Sequence, residues 1–104
     1  MSITFSPTMH PSEYGTDADE VYVNMHNKNA ATFITNVLGL PWDACGSIIP
    51  TDVLIREDEL VTMAAALDVV DNDHAIEGYW SMRVGEFLEV ARWADRKGRD
   101  ILWG

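Results

Sequence analysis

Apolar positions recur with period two in some stretches of the chain and at helical spacing in others, and these changes of period predict the elements. Ile3 and Phe5 alternate with polar neighbours and predict a short edge strand. Pro7, Pro11, Gly15, Asp17, Asp19 and Glu20 make the rest of residues 1–20 an irregular lead-in. Residues 21–26 alternate strictly. Val21, Val23 and Met25 face one side and Tyr22, Asn24 and His26 the other, the pattern of a half-buried strand. Asn27 then stands as an N-cap, and Ala30, Phe33, Ile34, Val37 and Leu38 recur at helical spacing until Gly39 and Pro41 end the run. A helix over 28–38 is expected.

Residues 40–50 read as a connection. Thr51 suits a second N-cap, and the helix after it, to about residue 67, is expected to bury Val53, Leu60, Met63, Ala64 and Leu67. A break near Asp58 is expected because Arg56 to Glu59 interrupt the apolar face. Residues 68–78 are polar and acidic and read as a loop. The last helix carries Trp80, Val84, Phe87, Leu88, Ala91 and Ala94 on one stripe. Its exposed side offers the spacings Glu89–Arg92 and Arg92–Asp95, each pair adding about 0.2–0.5 kcal/mol. Gly98 closes it, and residues 99–103 form a terminal strand. The predicted fold is a single α+β domain over 1–104. Its three helices cover a small sheet in which strand 21–26 pairs with strand 99–103, with residues 3–5 alongside.

Composition bounds this picture. A hydrophobic content of 47% with ten aromatic residues suits a packed core rather than a disordered acidic tail. The single Cys45 excludes an internal disulfide framework and fits a reducing cytoplasm. The N-terminus has neither a basic n-region nor an apolar h-region, so no secretory signal is expected. No apolar run approaches the roughly 20 residues of a membrane span. A cytoplasmic protein that does not engage membranes is the expectation.

Charge sharpens it further. The net charge of −10 is uneven: residues 57–82 hold seven acids and no base, whereas residues 83–104 are mildly basic. Such a field repels nucleic acid and favours basic protein partners, so direct nucleic-acid binding is not expected. The candidate partner surface comprises Glu57, Asp58, Glu59, Asp68, Asp71 and Asp73 with Trp93, which lies off the core stripe of the last helix. With Met82 and Val90, Trp93 makes a second, weaker apolar line, and that line is also a candidate for self-association into a homo-oligomer.

The remaining chemistry is sparse. A calcium loop starting at Asp71 would place Ala75 at position 5 and Ile76 where glycine is required, and a start at Asp68 fails at Val70. His10, His26 and His74 lack metal-ligand spacing. No metal and no cofactor are expected. Cys45 has Asp43 beside it and no base between Lys28 and Arg56, a context that disfavours a nucleophilic thiolate. No catalytic residue is assigned. The strand-to-helix junction at residues 22–29 is the candidate small-ligand site, with Tyr22, Asn24, His26, Asn27 and Asn29 as its polar set. Simple capping by Asn27 is the competing account, under which its loss costs about 1 kcal/mol.

The stretch Val23-Asn24-Met25-His26-Asn27-Lys28-Asn29-Ala30, then Leu38-Gly39-Leu40, Gly46-Ser47-Ile48-Ile49-Pro50 and the closing Ile101-Leu102-Trp103-Gly104, resembles small α+β proteins of actinobacteria and their phages. The shared features are caps, turns and a closing strand, and the group has no assigned function. The resemblance implies a compact α+β domain of phage origin and carries over no site residue. Taken together, these features lead us to expect a non-enzymatic interaction module. If phage-encoded, it would act on a host protein, mimicry of nucleic-acid charge included.

Overall fold

The computed structural model describes residues 1–16, 20–71 and 73–104. Asp17 and Asp19 of the expected lead-in, and Asn72 of the acidic stretch, lie outside the described residues. The fold is α+β: a four-stranded antiparallel sheet with the helices on one face. The strands are β1 (Ser2–Pro7), β2 (Val23–His26), β3 (Gly46–Ile48) and β4 (Ile101–Trp103), in the spatial order β2-β1-β4-β3.

The lead-in therefore holds the longest strand, and that strand is internal rather than at an edge. β1 separates the two strands expected to pair. It joins β2 through Ile3↔Met25 and Phe5↔Val23, and β4 through Phe5↔Trp103 and Pro7↔Ile101. Pro7 is tolerated because it stands at the strand end, where the ladder passes to the next residue and Thr8 N–H donates to Asp100 O at 2.9 Å. β3 falls in the expected connection. Its three residues carry too little apolar pattern to read as a strand, and pairing with β4 through Ile48↔Ile101 and Gly46↔Trp103 creates it.

Alternation assigns the sheet faces. Ile3, Phe5, Val23, Met25, Ile101 and Trp103 are buried, whereas Ser2, Asn24, His26, Ser47 and Leu102 face outward and are exposed. One wet face is normal for an antiparallel sheet.

The helix expected over 28–38 forms in two parts: α1 (Asn27–Thr32), then a π-helical turn over Phe33–Val37. The widened turn is closed by Leu38 N–H donating to Phe33 O at 2.9 Å, and it brings Phe33, Ile34, Val37 and Leu38 all into the core. Gly39, with φ 71°, stops it. Asn27 is not the cap. It is the first helical residue, and His26 stands at the cap position without a capping side-chain bond.

The expected second helix is broken close to Asp58, at Ile55–Arg56. α2 (Pro50–Leu54) ends at Ile55–Arg56 and α3 (Glu57–Val70) begins at once. Pro50 rather than Thr51 opens α2, because a proline at the first helical position loses no hydrogen bond. α3 runs through Asp68 to Val70, three residues into the expected loop.

α4 (Tyr79–Lys97) matches its stripe: Trp80, Val84, Phe87, Leu88, Ala91 and Ala94 are buried, and Gly98 closes it at φ 66°. α4 lies against β1, β2 and β4 and is the central helix; α2 and α3 pack on α4. Phe5, Phe33 and Phe87 meet edge to face at centroid separations of 5.2–5.5 Å where sheet, π turn and α4 converge.

Candidate functional site

The five residues of the strand-to-helix junction point in three directions. Asn24 lies on the wet sheet face directly opposite Thr4, and its amide donates to Thr4 Oγ1 at 2.8 Å and Ser2 Oγ at 3.1 Å. His26 is exposed on the same face, opposite Ser2. Asn29 turns inward, where its amide donates to the Tyr79 hydroxyl at 3.1 Å and ties α1 to the start of α4. Asn27 N–H donates to Met1 O at 3.2 Å, while its Oδ1 is buried without a hydrogen-bond partner among the described residues.

Tyr22 stands apart from the other four. It lines a groove of about 300 Å3 between the chain entering β2 and α4, together with Trp93, Val90, Glu86, Glu89 and Arg96. The structure thus joins Tyr22 of the expected ligand site to Trp93 of the expected partner surface. Trp93 is half-buried. Arg99 Cζ lies 5.4 Å and Lys97 Nζ 5.8 Å from its ring centroid, so two cations already occupy its π surface. Of the other members of its apolar line, Val90 is buried and Met82 is exposed.

Four of the six acids named for the partner surface have partners within the fold. Asp68 reaches from α3 to the open end of α4, where it accepts from Trp80 N–H at 2.7 Å, Ser81 N–H at 3.1 Å and the Ser81 hydroxyl at 2.6 Å. Gly78 occupies the cap position of α4 and has no side chain to do this itself. Partial burial pushes the Asp68 carboxyl up, but the Ser81 hydroxyl and the two amides together outweigh it and hold the net value below the ordinary aspartate range. Asp71 accepts from Trp80 Nε1 at 3.1 Å. Beside it His74 stacks on Tyr79 at 4.0 Å between ring centroids. Glu57 pairs with Arg92, which also reaches Glu89 at 2.8 Å, so the expected Arg92–Asp95 pair is replaced by a tie between α3 and α4. Glu59 pairs with Arg56 at 2.8 Å, and that guanidinium also donates to Leu38 O at 2.8 Å, bridging the α2–α3 break to the π turn. Asp58 and Asp73 are exposed.

The surface that the sequence analysis missed is the far side of α3. Met63 and Leu67 were expected in the core. Only Leu60 and Ala64 of α3 are buried; Leu67 is half-buried and Met63 is 43% exposed. Val61, Ala65, Ala66, Val69 and Val70 are exposed as well, Val69 at 79% and Val70 at 78%. The cause is position. α3 packs on α4 and the π turn, and one narrow strip of small and medium side chains suffices for that contact. The signal was present: from Leu60 to Val70 only Thr62 and Asp68 are polar, so apolar residues surround the helix. Met63, Ala66, Leu67 and Val70, with Asn36 of the π turn opposite, line an open groove of about 440 Å3.

Among the described residues, no group of three or more His, Cys, Asp or Glu side chains is arranged to hold a metal ion, and no helix is long and apolar enough to cross a membrane. Cys45 is exposed, and its backbone N–H donates to Asp43 Oδ1 at 3.4 Å. Trp103 is tucked onto the sheet with Nε1 donating to Asp43 O at 3.1 Å, Trp80 is fully buried, and Trp42 is exposed. No protein-family model, curated protein or solved structure matches the chain.

Proposed function

We propose that this chain is a non-enzymatic protein-interaction module whose main docking surface is the outer side of α3. The observation that carries this reading is the exposure of Met63, Val69 and Val70 on a helix whose residues 60–70 are apolar except for Thr62 and Asp68. Helices of that composition are normally covered on every side, and contiguous exposed apolar surface on a small protein marks a binding site. The uneven negative charge favours a basic protein over nucleic acid as the partner. If the chain is phage-encoded, the proposed target is a host protein.

The test is a pull-down from bacterial lysate with the wild-type chain and the Met63→Ser/Val70→Ser variant, at low and moderate salt. Both positions are exposed, so the variant keeps the core and the net charge. A partner retained by the wild type and lost by the variant is the expected result; identical recovery by both would sink the reading.

The groove that unites Tyr22 and Trp93 favours a second reading, a small-ligand site at the entry to β2. Its test is a thermal-shift screen against common metabolites, in which any stabilising compound must lose its effect in Tyr22→Ala.

A further inference from the structure

Resting on the interaction reading, we infer that the occupant of the α3 groove is an amphipathic helix from another protein, with an apolar stripe flanked by lysine or arginine. The apolar half of the argument is geometric. Met63, Ala66 and Val70 follow one another at i, i+3 and i+7, a stripe along the helix axis. Leu67 makes the inner wall, and Asn36 rises opposite from the π turn. A groove of this form takes the stripe of a second helix, whose side chains fall at the same spacings. Ala66 is small enough at mid-helix for close approach.

Charge selects among the possible occupants. The N-terminal end of α3 carries Glu57, Asp58 and Glu59. Its C-terminal end carries the negative pole of the helix dipole, no basic residue in the last turn, and Asp71 and Asp73 just beyond. Glu57, Glu59 and Asp71 are bonded within the fold, so among the described residues the exposed charges near the two ends of α3 are Asp58 and Asp73. A second copy of this chain seated on the groove would bring acid against acid, whether its α3 ran parallel or antiparallel, and would add its own net −10 to the repulsion. An acidic or neutral helix would leave Asp58 and Asp73 facing nothing of opposite sign. A helix with basic residues at both flanks of its stripe satisfies the two ends together. Arg56 and Arg92 pair with Glu59 and Glu57, which leaves Asp58 as the exposed charge at the N-terminal end, and no base stands between residues 57 and 82.

The experiment uses three defined peptides as long as α3, 14 residues. One is a Leu/Lys helix with a continuous leucine stripe, one is the same composition scrambled to destroy the stripe, and one is the Leu/Glu counterpart. Binding to the full chain is followed by isothermal calorimetry and by methyl NMR shifts of Met63, Leu67 and Val70, with the protein's own mass measured by sedimentation equilibrium. The striped Leu/Lys peptide should bind and shift those methyls, and weaken as salt rises from about 0.05 M to about 0.15 M. It should lose about tenfold in affinity when scrambled or against Met63→Ser/Val70→Ser.

Equal binding to wild type and variant would overturn the inference, because attraction would then lie elsewhere on the acidic surface. Tighter binding of the Leu/Glu peptide at the same methyls would overturn the basic partner and leave the docking surface intact. A dimer that the variant abolishes would make a second copy the occupant. A monomer that binds none of the peptides would overturn this inference, whereas the interaction reading stands or falls by the pull-down with the Met63→Ser/Val70→Ser variant.

Discussion

Asp68 and Ser81 join the two long helices: one carboxylate oxygen accepts both the Ser81 hydroxyl, at 2.6 Å, and the Ser81 amide, at 3.1 Å. With Trp80 N–H on its other oxygen, Asp68 supplies from α3 the cap that Gly78 cannot provide to α4. Asp68→Ala should cost about 1–2 kcal/mol in urea unfolding, as loss of a charged cap does. Asp68→Asn should retain part of the bonding and lose the charge. The sign of the pH dependence follows from the lowered folded value. The contribution of Asp68 is fully present above the unfolded aspartate range and is lost as pH falls below about 4. Stability of wild type minus Asp68→Asn should therefore shrink toward acid; a constant difference from pH 7 to pH 3 would contradict this role.

Gly46 is held to glycine by Trp103. A Cβ on Gly46 would stand 2.4 Å from Trp103 Cζ2, and the indole has little room to retreat: Phe5 packs beside it and its Nε1 is bonded to Asp43 O. Gly46→Ala should destabilise by about 1–3 kcal/mol through overpacking, measured by chemical unfolding. It should also loosen β3, whose pairing with β4 includes the Gly46↔Trp103 register, so the amides around residues 46–48 should exchange faster.

Gly85 is the opposite case. It sits in mid-α4 with ordinary helical backbone, and nothing lies within 4 Å of where its Cβ would be. Gly85→Ala should raise stability by about 0.5–1 kcal/mol, because alanine removes the entropic cost of glycine inside a helix without touching a neighbour. A melting temperature that stays level or falls would show that α4 is constrained there by something the fold does not explain.

These positions show what the sequence could and could not display. The α4 stripe, the alternation of residues 23–26 and the glycine stops at 39 and 98 were legible because each rests on local periodicity and local backbone preference. Strand order was not legible, because it depends on which partner Phe5 and Ile3 find across the fold; short runs bounded by prolines look like edges until β2 and β4 enclose them. β3 was hidden for the same reason. The candidate sites fared unevenly. Acidic positions were easy to find, but Asp68 and Asp71 proved to be bonded to α4, which no local pattern marks. The outer side of α3 was misassigned because Met63 and Leu67 continue a core-like spacing. Burial of a spacing is decided by what packs on it, and α4 covers only one strip.

Asn27 tests the junction itself. Read as an N-cap, it would cost about 1 kcal/mol on replacement by alanine. In the fold it is the first residue of α1, and its Oδ1 is buried without a bond among the described residues. Removing an unpaired buried acceptor relieves a desolvation penalty, and alanine is the better helix former. Asn27→Ala should thus leave stability unchanged or raise it by up to about 1 kcal/mol. Asn29→Ala, which breaks the bond to the Tyr79 hydroxyl, should lower it by about 0.5–1.5 kcal/mol, and Tyr79→Phe should make that second loss non-additive. Unfolding curves of the three single variants and the Asn29→Ala/Tyr79→Phe double variant decide the matter. A substantial loss from Asn27→Ala would restore it as a capping residue, and additive losses at Asn29 and Tyr79 would remove the tie between α1 and α4.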